Sequence, residues 1–172
     1  NTLTQGQYWM NTAQDWKRES NGDYSYNDTA NQTLSVEYEM ANHTITSVTG
    51  HNAYNYQELC DCDFTGAPGF TILSDEDYTQ FSQELRIASA EDQTFSYLAG
   101  VFFQNSSLDF HDTIGVPTNS FIATAFVSRL GATAANALRG ASTQRDFEQD
   151  TNLSAIFAQG TWNFTDTSRL IL

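Results

Sequence analysis

Cys60 and Cys62 stand one residue apart in QELCDCDFTGAPGFTILSDED, and the same stretch holds Asp61, Asp63, Asp75, Glu76 and Asp77. Two thiols at that spacing have three chemistries open to them. A structural disulfide comes first, either a small ring or a bond to a cysteine elsewhere in a fuller protein. Cysteines so close rarely pair with each other, because a disulfide demands a specific Cα separation and torsion. Free thiols come second. A metal comes third, since Cys-x-Cys supplies two ligands where zinc takes four. The acids could attract a cation, but EF-hand spacing is missing. His43, His51 and His111 are far apart and read as polar residues at strand ends. No G-x-S-x-G, H-E-x-x-H, G-x-G-x-x-G or P-loop occurs. No catalytic, cofactor-binding or metal-ligating residue is assigned, no cofactor is expected, the ligand-binding residues stay open, and an enzyme is not expected.

The elements that would carry these residues read as strands. In TQFSQELRIASAEDQTFSYLAGVFFQ, residues 79–104, Phe81, Leu85 and Ile87 share one face, with Ser82, Glu84, Arg86 and Ala88 on the other. Phe95, Tyr97, Ala99, Val101 and Phe103 again share a face. A period of two marks strands in a sheet with unlike sides. The short polar link SAEDQ suits an antiparallel hairpin. A soluble sandwich turns its apolar face inward, whereas a membrane barrel turns it toward lipid and its polar face toward the lumen. Gln83 fits the apolar face poorly and is expected at a rim or a bulge.

Taken in order, residues 1–33 read as a long exposed loop, with a short helix possible between Trp9 and Trp16. Leu34–Met40 alternates cleanly, 41–43 is a short turn, and Thr44 to about Tyr56 returns with its register open. Gly50 marks a bulge or a close approach. Residues 57–77 form a long loop, 90–93 a short turn and 105–146 a second long loop. Within that last loop a helix is expected, with Asn119 as its cap and Gly140 at its end, although Gly131 weakens it. A strand follows from about Phe147 to Phe164, then a turn at 165–168 and the start of another strand. Short and long connections therefore alternate, as they do in outer-membrane barrels. Aromatics form two candidate girdles. Tyr38, Phe95, Tyr97, Trp162 and Phe164 lie near short turns; Tyr54, Tyr56, Tyr78, Phe81, Phe102, Phe103 and Phe147 lie near long-loop ends.

FSQELRIAS, a polar turn and then FSYLAGVFFQ resembles the barrel hairpin of TonB-dependent outer-membrane receptors. LSVEYEMANHTITSVTG upstream and NLSAIFAQGTWNFTDTSRLIL downstream extend the likeness over most of residues 34–172. The resemblance implies an all-β fold: antiparallel up-and-down strands forming part of a transmembrane β-barrel, with long extracellular loops. It implies location in the outer membrane of a Gram-negative bacterium. It further implies uptake of a scarce nutrient, foremost a ferric siderophore, energised by TonB through a plug domain outside this chain. Outer-membrane lipid and the nutrient are the remaining partners.

Composition sets bounds on these expectations. The 172 residues carry a net charge of −14 with Lys17 the single lysine, which argues against nucleic acid as a partner. No run is long and apolar enough for a transmembrane helix, a test that barrel strands escape. A plugged transporter barrel has about 22 strands, so 1–172 is expected to be a partial barrel domain: the 1–33 loop, then about five strands and the start of a sixth in 34–172, without the plug. NTLTQGQYWM lacks both an initiator Met and a signal-peptide pattern, and the chain closes on what reads as a strand just beginning, so an excerpt of a longer protein is expected. The alternative is a soluble extracellular β-rich binding module, lectin- or adhesin-like. A secreted β-rich hydrolase comes third, held only because an acidic chain always offers two carboxylates.

Overall fold

The computed structural model describes residues 22–62, 67–90, 93–165 and 167–172. It is an all-β fold with one helix. The elements are β1 (Tyr24–Met40), β2 (His43–Cys60), β3 (Thr71–Ser89), β4 (Phe95–Gly115), α1 (Phe121–Ala137), β5 (Ser142–Thr165) and β6 (Ser168–Ile171). All six strands form a single sheet in sequence order, each paired with its neighbours in the chain. Connections in such a meander fall alternately at opposite ends of the strands.

The first five strands are longer than the sequence pattern indicates. They run 17, 18, 19, 21 and 24 residues, about twice what a tilted strand needs to cross a bilayer. Three expectations are corrected by this. Residues 24–33, expected within the 1–33 loop, belong to β1. The expected loop 57–77 shrinks to 61–70, and the expected loop 105–146 shrinks to 116–141. Of the added residues, 24–33 and 142–146 are mostly polar, and the apolar residues of 71–77 and 105–115 (Ile72, Leu73, Leu108, Phe110 and Ile114) are interrupted by Ser and Asp, so the hydrophobic pattern reads as loop. The Trp9–Trp16 helix lies outside the described residues, as do Asp63 and Gly66.

The chain divides into two compact units. One comprises Thr29–Tyr54, Tyr78–Leu108 and Gln149–Leu172, and all three short turns fall in it. Its strands have unlike faces. Gln83 Nε2 donates to Ser47 Oγ at 3.0 Å, and Thr49 Oγ1 lies 2.7 Å from Gln83 Oε1. Ser47, Thr49 and Gln83 therefore share the face of Phe81 and Leu85, which settles the register of β2. On the other face, Tyr54 and Tyr78 stack at 5.1 Å, and a side chain at Gly50 would meet Ser82 Oγ at 2.6 Å. Gly50 thus marks a close approach. Gly100 is tighter still: an added Cβ would lie 2.5 Å from the Phe157 ring and 2.9 Å from the Leu85 carbonyl.

The apolar face is the exposed one. Leu34, Tyr38 and Ile156 are 63%, 64% and 88% exposed, and Phe81, Leu85, Phe95, Val101, Phe103, Trp162 and Phe164 are exposed as well. The intervening Ser82, Glu84, Arg86, Phe102 and Gln104 are only half-exposed. The buried apolar side chains among those described are small: Ala67, Pro68, Ala123 and Ala135. In β3 and β4 the apolar face is the more exposed of the two, the reverse of a water-soluble sandwich, while β1 and β5 are exposed on both faces.

The aromatics sort by face. Near the short turns, Phe95–Tyr97 and Trp162–Phe164 pair at 6.4 and 4.9 Å, and the Phe95 ring lies over Gly160. The second candidate girdle is only partly met. Phe81 and Phe103 stay on the exposed face, whereas Tyr54 and Tyr78 turn to the Glu84 and Arg86 face, as alternation requires of Tyr56 and Phe102 too. Because the strands run past residues 57 and 77, these tyrosines lie within strands and not at their ends.

Candidate functional site

The other unit comprises the described part of Asn1–Asp28 with Asn55–Asp77 and Asp109–Glu148, and it holds both long connections. The second connection is closed at its base by two backbone bonds: Val116 N–H donates to Ala141 O at 2.9 Å and Gly140 N–H to Val116 O at 2.8 Å. Gly140 takes φ +76°, a conformation that suits glycine.

Within that connection α1 begins one residue later than the sequence suggests. Ser120, and not Asn119, is the cap: its hydroxyl accepts from Ile122 N–H at 3.1 Å, satisfying one of the orphan donors of the first turn. The same hydroxyl donates to Gly69 O at 2.5 Å, and Phe121 N–H donates to Pro68 O at 3.0 Å. Two carbonyls of the first connection thus seat the start of α1, where Ser120 is wholly buried. Arg139 closes the arrangement. Its Nη1 donates to Thr118 O and Ser120 O at 2.9 and 3.0 Å, and its Nη2 to Thr124 Oγ1 at 2.8 Å. Gly131, at φ +78°, breaks the helix in its middle.

Cys60 and Cys62 are bonded to each other, with Cα atoms 5.2 Å apart. The ring closes at the last residue of β2. It encloses Asp61, which is 6% exposed. A ring of three residues takes little freedom from the unfolded chain: about 1.6 kcal/mol by loop-closure entropy, against about 3 kcal/mol for a 15-residue loop.

Charge is concentrated on the strands of this unit. Asp75, Asp77, Asp109, His111, Asp146 and Glu148 border an open depression of about 500 Å³, with Phe110 and Phe147 at its walls. Gln57 Nε2 donates to Asp75 at 3.0 Å, Asn55 donates to Asp77, and His111 pairs with Asp146. Asp112 and Arg145 form a forked ion pair. The bonded guanidinium holds the Asp112 carboxyl below the usual carboxylate range, with desolvation pulling the other way; His111 adds a smaller lowering. The same pairing raises Arg145.

Of the residues singled out in the sequence, the structure joins Cys60 to Cys62 and places His111 beside Asp75 and Asp77. It leaves His43 elsewhere, its ring 5.9 Å from Tyr97 by a short turn. Among the described residues, no group of three or more His, Cys, Asp or Glu is arranged to hold a metal. Sequence reasoning missed Ser120 and Arg139 as the anchors of α1, and the partnership of Asp112 with Arg145. Their separations of 19 to 51 residues carry no local signal.

No protein-family model matches the chain, and no curated protein matches it. Among solved structures, the ferric yersiniabactin uptake receptor FyuA from Yersinia pestis shares its fold, with a TM-score of 0.53 at 14% identity over 87% of this chain. The fold resembles a segment of a β-barrel receptor. The chain spans 28% of that receptor's length. The Gasdermin A3 membrane pore was also matched, at a TM-score of 0.17 and 9% identity over 88% of this chain and 64% of that one, too distant to carry an argument. The receptor likeness bears on the fold alone, and it agrees with the inverted faces of β3 and β4.

Proposed function

We propose that this chain is part of the barrel domain of a TonB-dependent receptor in the outer membrane of a Gram-negative bacterium. The parent protein imports a scarce nutrient of the ferric siderophore class, and TonB energises it through a plug domain. The chain contributes transport architecture and no catalysis. The observation that carries this reading is the inverted pair β3 and β4: Phe81, Leu85, Val101 and Phe103 are exposed while Ser106 and Asp112, on the opposite face of β4, are buried. Lipid supplies the environment that such a face needs. FyuA, whose fold this chain shares, is by name a ferric yersiniabactin uptake receptor, and the proposed ferric-complex substrate is carried over from that name. The long connections and the acidic depression would face the outside medium, as long loops do in such barrels.

The test is uptake. Cells expressing the parent protein should accumulate a radiolabelled ferric siderophore under iron limitation, and should lose that accumulation when TonB is deleted. Accumulation that is indifferent to TonB, or no accumulation of any ferric siderophore from a broad panel, refutes the proposal.

A further inference from the structure

His111 on β4 pairs with Asp146 on β5, and the next residue, Asp112, pairs with Arg145. Neighbouring residues on one strand thus meet neighbouring residues on the other. Side chains alternate across a strand, so the two ion pairs lie on opposite faces of the sheet. Both stand close to the base of the second connection, where Val116 N–H donates to Ala141 O at 2.9 Å. β4 ends at Gly115 and β5 begins at Ser142, so each pair is joined to that base by a short run of strand.

The two pairs differ in what keeps them charged. Arg145 keeps its proton at every working pH. His111 is charged only when protonated, and imidazole changes charge between about pH 5 and 8. The surroundings make that charge count. The depression around His111 is lined by Asp75 and Asp77 from β3, Asp109 from β4, and Asp146 and Glu148 from β5. Asp112 and Arg145 are the charged neighbours on the other face. Gln57 and Asn55 donate to Asp75 and Asp77, but these amides are neutral and leave the negative charge in place. Among the residues that line the depression, His111 is the one that can turn positive.

We propose that His111 is a pH-dependent clamp on the base of the second connection. Protonated, it offsets the carboxylates of β3, β4 and β5 and draws β4 and β5 together. The charged pair exists only where the strand ends are closed, so it favours closure while the imidazole keeps its proton. The contribution is lost as pH rises and the proton leaves. Neutral His111 can still donate one hydrogen bond to Asp146, yet it cancels no charge, and the carboxylates then repel one another across the strand ends. Asp112 and Arg145 keep the strands joined on the other face. Rising pH thus softens the base of the connection without unfolding the sheet. The side chains of His111 and Asp146 are 46% and 75% exposed, so water and salt screen the pair and the effect is modest.

The experiment measures hydrogen exchange of the intact parent protein in micelles from about pH 5.5 to about pH 8.5, the range that spans imidazole titration, with each rate divided by the intrinsic rate at that pH. Protection of peptides from 109–116 and 141–148 should fall about two- to fivefold as pH rises, the factor that an opposite-charge cross-strand pair represents. Peptides from 81–87 and 97–103 should stay unchanged. His111→Gln should show the lower protection at every pH, with no step. His111→Lys, which keeps its charge, should hold the higher protection to the top of the range. Asp146→Asn should shrink the step. The proposal is overturned if the native chain shows no step, if the step survives in His111→Gln or is undiminished in Asp146→Asn, if His111→Lys steps as the native chain does, or if the peptides from 81–87 and 97–103 step with the strand ends. Should His111→Gln fail to fold, the native chain against His111→Lys and Asp146→Asn still decides.

Discussion

Asp112 on β4 and Arg145 on β5 meet in a forked pair across 33 residues of sequence, with Arg145 Nε donating to Asp112 Oδ1 at 2.8 Å and Nη2 donating to Oδ2. The carboxylate is 2% exposed. Both residues flank the second long connection, so the pair ties together the two strands that bound it. A buried carboxylate left without its partner keeps its desolvation cost and loses its compensation.

The pH dependence follows from the lowered Asp112 value. A carboxyl held below its ordinary 3.8 in the folded state favours folding at every pH above that figure. The contribution is lost as pH falls through the depressed folded value. Hydrogen exchange of peptides from 109–115 and 142–148 should therefore show loss of protection on acidification below about pH 4. Asp112→Asn should remove the acid step attributable to this pair. Arg145→Ala should lower protection at neutral pH, and Arg145→Ala combined with Asp112→Asn should recover part of it. An acid step unchanged in Asp112→Asn would show that another group sets it.

The proposed lipid contact predicts a depth-dependent penalty. Val101 lies in the middle of the exposed apolar run of β4. Val101→Arg should cost about 2–4 kcal/mol if it sits near the bilayer midplane. Gln104→Arg, on the opposite face of the same strand, should cost far less. Equilibrium unfolding of the parent protein from bilayers measures both. Equal costs would mean that the two faces see the same surroundings.

Polar residues on the Phe81 and Leu85 face bond to one another. Gln83 satisfies its amide with Ser47, Thr49 and the Glu84 carbonyl. Ser47→Ala/Thr49→Ala should destabilise by about 1 kcal/mol or more, because the Gln83 amide oxygen loses its Thr49 donor and the nitrogen keeps only the Glu84 carbonyl, 3.0 Å away. Adding Gln83→Leu should restore most of that loss, since three apolar side chains facing lipid have nothing to satisfy. A triple variant less stable than the double would place this trio in contact with water.

The legible parts of the chain are those where apolar and polar residues alternate in the sequence. Phe81, Leu85 and Ile87 against Ser82, Glu84 and Arg86 announce β3, and the FSYLAGVFF stretch announces β4. Where the strands are polar on both sides, as in YSYNDTANQT, cross-strand bonding extends them and no pattern betrays it. Gln83 looked misplaced because its partners lie 34 and 36 residues away. The helix was visible from its apolar, alanine-rich run, but its cap was one residue off. Ser120 is chosen by its second bond, to Gly69, which sequence spacing cannot show. The cysteine pairing stayed open for a similar reason: spacing alone disfavours it, and only the local path of the chain brings the two Cα atoms to 5.2 Å.

Sidedness is the remaining prediction. Every backbone group within lipid must be satisfied by strand pairing, so irregular connections lie outside the hydrocarbon. In the meander, the turns at 41–42, 90–94 and 166–167 fall at one end of the strands, and the connections 61–70 and 116–141 at the other. Outer-membrane barrels put their short turns in the periplasm and their long loops outside. An epitope tag inserted at the Gly131 break of α1, where the helix is exposed and already interrupted, should bind antibody on intact cells expressing the parent protein. The same tag in the 90–93 turn should bind only after the outer membrane is opened. Labelling at 90–93 with protection at Gly131 would reverse the orientation. Equal labelling at both on unbroken cells would mean that the sheet does not cross the membrane, and the exposed apolar face would then need a protein partner in place of lipid.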